Sequence, residues 1–90
     1  MKEEQLKIIE EMAYRCFTPE LIAINLELNE FEFLAMLELQ NSDVRRAFYK
    51  GIIRLQTEIR ESIIKAANNG SNPAQEQLLK LIKELQSCLT

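Results

Sequence analysis

The chain contains no histidine, no tryptophan and a single aspartate, Asp43. The absence of histidine excludes histidine-dependent catalytic triads, histidine-ligated zinc sites and the side chain that most often acts as a general base near neutral pH. The sequence has no glycine-rich phosphate-binding loop either. We therefore expect a protein that is not an enzyme, that holds no metal or cofactor, and that acts by binding or assembly.

Cysteines and long apolar runs are equally scarce. The two cysteines, Cys16 and Cys88, lie far apart and in no metal-ligand spacing. No apolar run approaches the ~20 residues that a membrane span needs, and the acidic, amphipathic N-terminal segment is unlike a secretory signal. These features predict a reduced, cytoplasmic protein with no membrane partner. Cys16 continues an apolar helix stripe, so we expect it to be buried.

The spacing of the apolar residues predicts an all-α fold that begins with a three-helix head over residues 1–40. Thr18 and Asn29 are residue types that cap helix N-termini, and Pro19 suits a first helical position. They therefore mark the starts of the second and third helices. The expected bounds are 4–16, Pro19 to about Leu26, and Asn29 to about Leu39.

Residues 43–90 predict a two-helix tail that forms an antiparallel hairpin, within one compact domain overall. Apolar residues recur every three or four positions from Asp43 to Asn69, which indicates one long helix. Gly51 interrupts this stripe, so either the helix kinks there or another backbone packs close to it. Asn69-Gly70 is typical of a helix end, and Asn72-Pro73 of the start of a last helix.

The second and third helices fit the register of a helix-turn-helix. In that motif a small residue lies where the helices approach, apolar residues bracket the turn, and side chains of the second helix close the core. Glu27 occupies the turn position that glycine usually takes, and a left-handed residue there would be strained. The residues that carry the register are Ile22, Ala23, Leu26, Leu28, Asn29, Phe33 and Met36.

Three further segments follow this register along the chain. They are Asp43-Val44-Arg45-Arg46-Ala47-Phe48-Tyr49-Lys50-Gly51, then Ala66-Ala67-Asn68-Asn69-Gly70 with Asn72-Pro73-Ala74, then Leu78-Leu79-Lys80. In this order and spacing, the chain resembles the small terminase subunits of tailed bacteriophages and related prophage helix-turn-helix proteins. The resemblance covers roughly residues 12–85.

This resemblance implies a DNA-binding and assembly component of viral genome packaging. Members of the family bind double-stranded viral DNA at the packaging start site, assemble into rings and recruit the large motor subunit, and they are neither the nuclease nor the ATPase. The implied partners are double-stranded DNA, the large terminase subunit and further copies of the chain, in the cytoplasm of a bacterial host.

The first turn of the third helix is one candidate for DNA contact. A helix-turn-helix places that turn in the major groove, and here it carries Asn29 and Glu30. Asparagine can pair with adenine, and glutamate can accept a hydrogen bond from cytosine N4. The helix has no Arg or Lys, however, and its glutamates repel phosphate.

The start of the long helix is the second candidate. Arg46, Lys50 and Arg54 recur every four positions and therefore form one basic ridge, with Arg45 beside it. This ridge is either a phosphate-contacting surface or a solvated face that pairs with the acidic head.

The formal net charge of −3 hides an uneven distribution. Residues 1–42 carry three basic residues against nine glutamates, a net charge of −6. Residues 43–90 carry eight basic residues against five acidic ones, a net charge of +3. Because the acidic half holds the third helix, two alternatives stay open. One is a protein–protein adaptor that docks through the acidic head without binding DNA, and the other is a small dimeric transcriptional regulator.

The last helix carries an apolar stripe that predicts oligomerisation. The stripe either packs on the long helix within the hairpin or joins subunits, and we expect both uses together. Its residues are Leu78, Ile82, Leu85 and Leu89.

Overall fold

Five α-helices joined by short turns make up the computed structural model, which describes residues 1–89. Within that range no residue belongs to a strand, so the predicted all-α class is confirmed. The helices are α1 Glu3–Tyr14, α2 Pro19–Asn25, α3 Glu30–Glu38, α4 Asp43–Asn68 and α5 Asn72–Leu89.

Polar side chains cap the starts of α2, α3 and α4. Thr18 Oγ1 accepts a hydrogen bond of 3.3 Å from the amide three residues on, and Asn29 Oδ1 accepts one of 3.1 Å in the same way. Both predicted caps are thus confirmed. The hydroxyl of Ser42 accepts from the Arg45 amide at 3.0 Å and donates to the Met36 carbonyl, which links the end of α3 to the start of α4.

Left-handed residues end three of the helices in Schellman turns. Gly70 follows α4 with φ = 93°, and Glu27 follows α2 with φ = 58°. In the turn after α2, the Leu28 amide donates to the Ala23 carbonyl at 2.9 Å. Glu27 therefore adopts the left-handed conformation at the position that glycine usually takes, although glutamate has no intrinsic preference for it.

Cys16 occupies the corresponding position after α1, with φ = 68°. It lies beyond the end of the helix and is exposed, so the prediction that it is buried on the α1 stripe is wrong. The physical reason is local: the Phe17 amide donates to the Met12 carbonyl at 3.1 Å, so the chain turns and the stripe ends at Ala13.

The chain divides into two compact units, Met1–Leu55 and Gln56–Thr90, with the division inside α4. The first unit contains the apolar core, to which α1, α2, α3 and the start of α4 all contribute. Its buried members are Ile9, Ala13, Ile22, Ala23, Phe33, Val44 and Ala47. Removing these side chains from water is the main favourable term for folding this unit.

Gly51 lies where α4 meets the backbone of α1. A Cβ atom at this position would meet the Glu10 carbonyl oxygen, the Tyr14 nitrogen at 2.8 Å and the Ala13 Cβ at 2.9 Å. Of the two alternatives that the sequence left open, a kink or a close backbone approach, the second is therefore confirmed, because the backbone of α1 packs against this glycine.

The second unit contains the end of α4, the turn at Gly70 and α5. Among its described residues, only Ala67 and Ala74 are buried. Gln75 Nε2 donates to the Ala67 carbonyl at 3.1 Å, which ties the start of α5 to the last turn of α4. The apolar side chains of this unit are consequently left largely on its surface.

Candidate nucleic-acid interface

The first turn of α3 presents carboxylates and an aromatic ring. Asn29 is exposed, but its Oδ1 caps the helix, so the oxygen is already occupied by the Glu32 amide. Glu30 is exposed at the first helical position. Phe31 follows it and is 85% exposed. Such a turn can accept hydrogen bonds from base edges, yet it offers no cation for a phosphate.

The α3 helix is apolar on two opposite faces. Phe33 is completely buried and faces the core together with the half-buried Met36. On the outward side, Phe31, Leu34 and Ala35 are exposed at positions i, i+3 and i+4. The outward apolar side chains of α3 are therefore left in water, whereas its inward side chains pack in the core.

Arg45 is fixed within the first unit. Its Nη1 donates to the Leu37 carbonyl at 2.8 Å, and its guanidinium lies 4.8 Å from the centroid of the Tyr49 ring. The hydrogen bond satisfies a carbonyl near the C-terminus of α3, where a cation also complements the helix dipole. This residue has a structural use of its own and is half-buried.

Arg54 is also held within the first unit, by α1. Its Nη1 lies 2.9 Å from Glu10 Oε2 and 2.8 Å from Glu11 Oε1, and its guanidinium stacks 4.4 Å from the centroid of the Tyr14 ring. Hydrogen bonds from Arg54 and then Arg15 hold the pKa of Glu11 below its ordinary value. Arg54 therefore pairs with the acidic head, which was the alternative to a phosphate-contacting role.

Arg46 and Lys50 remain available. Both are exposed, and in the described part of the chain neither side chain forms a hydrogen bond or an ion pair. They line an open groove between α1 and α4, with a volume of about 290 Å³. Its other lining residues are Glu3, Leu6, Lys7, Glu10, Asp43 and Ala47.

The cations of this groove outnumber its free carboxylates. Lys7, Arg46 and Lys50 project from its two walls, whereas Glu10 is already paired with Arg54. Asp43 lies 3.3 Å from the N-terminal ammonium group. Glu3 is the one carboxylate of the lining with no partner among the described residues, so three unpaired cations and one unpaired carboxylate surround an apolar floor, and the cations can take a phosphate backbone.

Lys7 is a residue that sequence reasoning missed. It lies on α1, in the half of the chain whose average charge is strongly negative. Only the packing of α1 against Gly51 brings it beside Arg46 and Lys50. The available signal was Gly51 itself, for which the sequence left open a helix kink or a close backbone approach and named no partner helix.

The positive surplus of the C-terminal half lies entirely at the start of α4. Residues 43–55 carry four cations and one aspartate, whereas residues 56–90 carry four cations and four glutamates. By contrast, residues 16–42 contain five glutamates and no cation. The two surfaces of the first unit are thus opposite in charge, and the second unit is neutral.

The stripe of α5 becomes more exposed toward its C-terminal end. Leu78 is half-buried, Ile82 is exposed, and Leu85 and Leu89 are 61% and 78% exposed. Ile59 on α4 is exposed in the same unit. A solvent-exposed apolar stripe of this kind is characteristic of a surface that assembles.

Two other features are absent from residues 1–89. That range holds no group of three or more acidic or cysteine side chains suited to a metal ion, and none of its helices is both long and apolar enough to cross a membrane. Comparison of the chain with protein-family models, with curated proteins and with solved structures finds no match.

Proposed function

We propose that this protein is a non-catalytic DNA-binding and assembly component of the terminase small subunit type, acting as a homo-oligomer in viral DNA recognition and packaging. The observation that carries the proposal is the groove between α1 and α4. There, Lys7, Arg46 and Lys50 converge with no intramolecular partner among the described residues. Unpaired cations on an apolar floor fit a duplex backbone.

A helix-turn-helix formed by α2 and α3 belongs to the same proposal. Ala23 and Phe33 are fully buried, as the register requires of the close-approach and core positions. Glu27 takes the left-handed conformation at the turn position that glycine usually occupies in a helix-turn-helix. In this proposal the motif orients the duplex, and Asn29 and Glu30 approach base edges, while α1 and α4 supply the phosphate contacts.

Assembly is assigned to the second unit, in which the end of α4 and α5 form the proposed antiparallel hairpin. Its exposed leucines, Leu85 and Leu89, form the seam between copies. Because each groove contributes only a few phosphate contacts, the affinity for a long duplex arises from several copies acting together. The assembled protein would then recruit the large terminase subunit.

Duplex binding measured against salt concentration tests the proposal. Reversing Lys7 and Lys50 to glutamate together is expected to abolish binding at low salt, because repulsive charges replace two phosphate contacts. The matched control reverses Lys80 and Lys83 of α5, which retains the groove and should retain binding. Failure of the wild-type protein to bind any duplex at low salt would refute the proposal.

A protein–protein adaptor is the second candidate, and the cation-free segment over residues 16–42 favours it. Carboxylates around an exposed Phe31 suit a protein partner better than a phosphate backbone. The same titration separates the two functions. An adaptor gives no salt-dependent duplex binding in either the wild-type protein or the charge-reversed variants.

A further inference from the structure

The outward face of α3 has an apolar centre and an acidic edge. Phe31, Leu34, Ala35 and Glu38 occupy positions i, i+3, i+4 and i+7, and all four are exposed. Phe31 leaves 85% of its surface in water. Removing such a side chain from water is favourable, so a surface that covers this face gains free energy.

A second surface of the first unit has the complementary pattern. Between the end of α3 and the start of α4 lies an open groove of about 380 Å³, lined by Gln40, Arg45, Arg46, Tyr49 and Ile53. Tyr49 and Ile53 are about half exposed and supply apolar area, and Arg46 supplies a cation with no partner in the described chain.

We infer that the outward face of α3 docks into this groove on a second copy of the chain. Phe31 lies against Tyr49 and Ile53, since aromatic rings pair favourably with one another and with aliphatic side chains. Glu38 lies against Arg46, which places opposite charges at the edge of the contact and leaves Lys7 and Lys50 as the phosphate contacts of the assembled protein. The inference rests on the proposed self-assembly. It adds a second contact between copies, made by the head, to the one that α5 makes.

The contact is between copies, because the face that it uses points away from its own core. Phe33 and Met36, on the opposite side of α3, already pack inside the first unit. The face and the groove are different patches, so the contact is heterologous: each copy offers its face to one neighbour and its groove to another. Such a contact produces a head-to-tail ring or chain.

Charge balance favours a copy of this chain as the occupant. The cation-free residues 16–42 carry five glutamates, and the four cations of residues 43–55 lie immediately after them. Two faces of α3 set against each other would instead place their glutamates together, which is unfavourable. Head-to-tail packing pairs each acidic surface with a basic one.

The closing experiment measures mass by light scattering without DNA, using wild type, Glu38→Arg, Arg46→Glu and an equimolar mixture of the two variants. Each variant alone sets like charges against each other, so its mean mass should fall at least two-fold. The mixture restores both kinds of contact and should recover the wild-type mass. Glu76→Arg, a charge reversal on α5, is the matched control and should assemble like wild type.

The outcomes separate this inference from the proposed function. An assembled wild type whose mass is unchanged in Glu38→Arg overturns the head contact and leaves the α5 seam standing. A mixture that fails to regain mass also overturns it. A monomeric wild type at about 100 μM overturns the proposed assembly itself. Phe31→Asp is a second variant. Its position is exposed, so the change should not unfold the protein. It should lower the mean mass as Glu38→Arg does.

Discussion

The α2–α3 segment and the first half of α4 belong to the same unit, yet their surfaces carry opposite charges. Between Pro19 and Glu38 the chain carries five glutamates and no cation, whereas residues 45–54 carry four cations and no acidic group. The difference shows that α3, the reading helix of the proposed helix-turn-helix, has no cation with which to touch phosphate. Any phosphate contact therefore falls to α4 and to the α1 residue that packs beside it.

A second contrast lies within the basic group itself. Arg45 and Arg54 each have intramolecular acceptors, on Leu37 and on the α1 glutamates, and each stacks on a tyrosine. Arg46 and Lys50 lie on the same helix without such partners in the described chain. Cations that look equivalent in the sequence thus divide into two that make intramolecular contacts and two whose side chains make none among the described residues.

The largest expected change in stability comes from a comparison of the inner and outer faces of α3. Phe33→Ala should lower the free energy of unfolding by about 3–5 kcal/mol, because a fully buried ring is replaced by a cavity. Phe31→Ala, two residues away and 85% exposed, should lower it by less than about 0.5 kcal/mol. Urea unfolding at a concentration where the protein is monomeric measures both. Similar losses in the two variants would contradict the assignment of inner and outer faces.

The packing of α1 on α4 gives the next largest effect. Gly51→Ala should destabilise the first unit by about 1–3 kcal/mol, since the added methyl group meets backbone atoms of α1 that cannot easily move. Gln56→Ala, an exposed change on the same helix, is the control and should be nearly neutral. Thermal unfolding measures the difference. A Gly51→Ala protein as stable as wild type would mean that α1 does not lie against α4.

The turn between α2 and α3 gives the smallest effect. Glu27→Gly should raise stability by about 1 kcal/mol, because glycine adopts a positive φ without steric cost. For a chain of this size, that corresponds to an increase in Tm of about 4–8 °C. The control is Glu20→Gly, inside the first turn of α2, which should lower Tm. An unchanged or lower Tm in Glu27→Gly would argue against the left-handed turn.

Local chemistry made most of the secondary structure predictable. Thr18, Pro19 and Asn29 are recognised by residue type alone, and the spacing of apolar residues over α4 is regular enough to identify a long helix. Gly51 likewise indicated, by its residue type alone, that either α4 kinks there or another backbone packs close to it. Cys16 was misjudged because its apolar spacing continues past the point where backbone hydrogen bonds end α1.

The candidate site was less predictable, because it depends on which helices meet. The charges of Arg54 and Lys50 are indistinguishable along the sequence, but only Arg54 faces Glu10 and Glu11. Lys7 joins the groove through tertiary packing and not through any spacing in the sequence. Periodicity assigns residues to faces of one helix, whereas the site is formed by faces of two helices.

The salt dependence of duplex binding by Lys7→Gln is the most direct test of the central claim, since Lys7 lies in the groove but outside both the helix-turn-helix and the contact inferred between heads. If the groove between α1 and α4 holds the phosphate backbone, the slope of log K against log salt should fall by about 0.9 for each copy bound. Lys83→Gln on α5 should leave the slope unchanged. A Lys7→Gln slope equal to that of the wild-type protein would contradict the account.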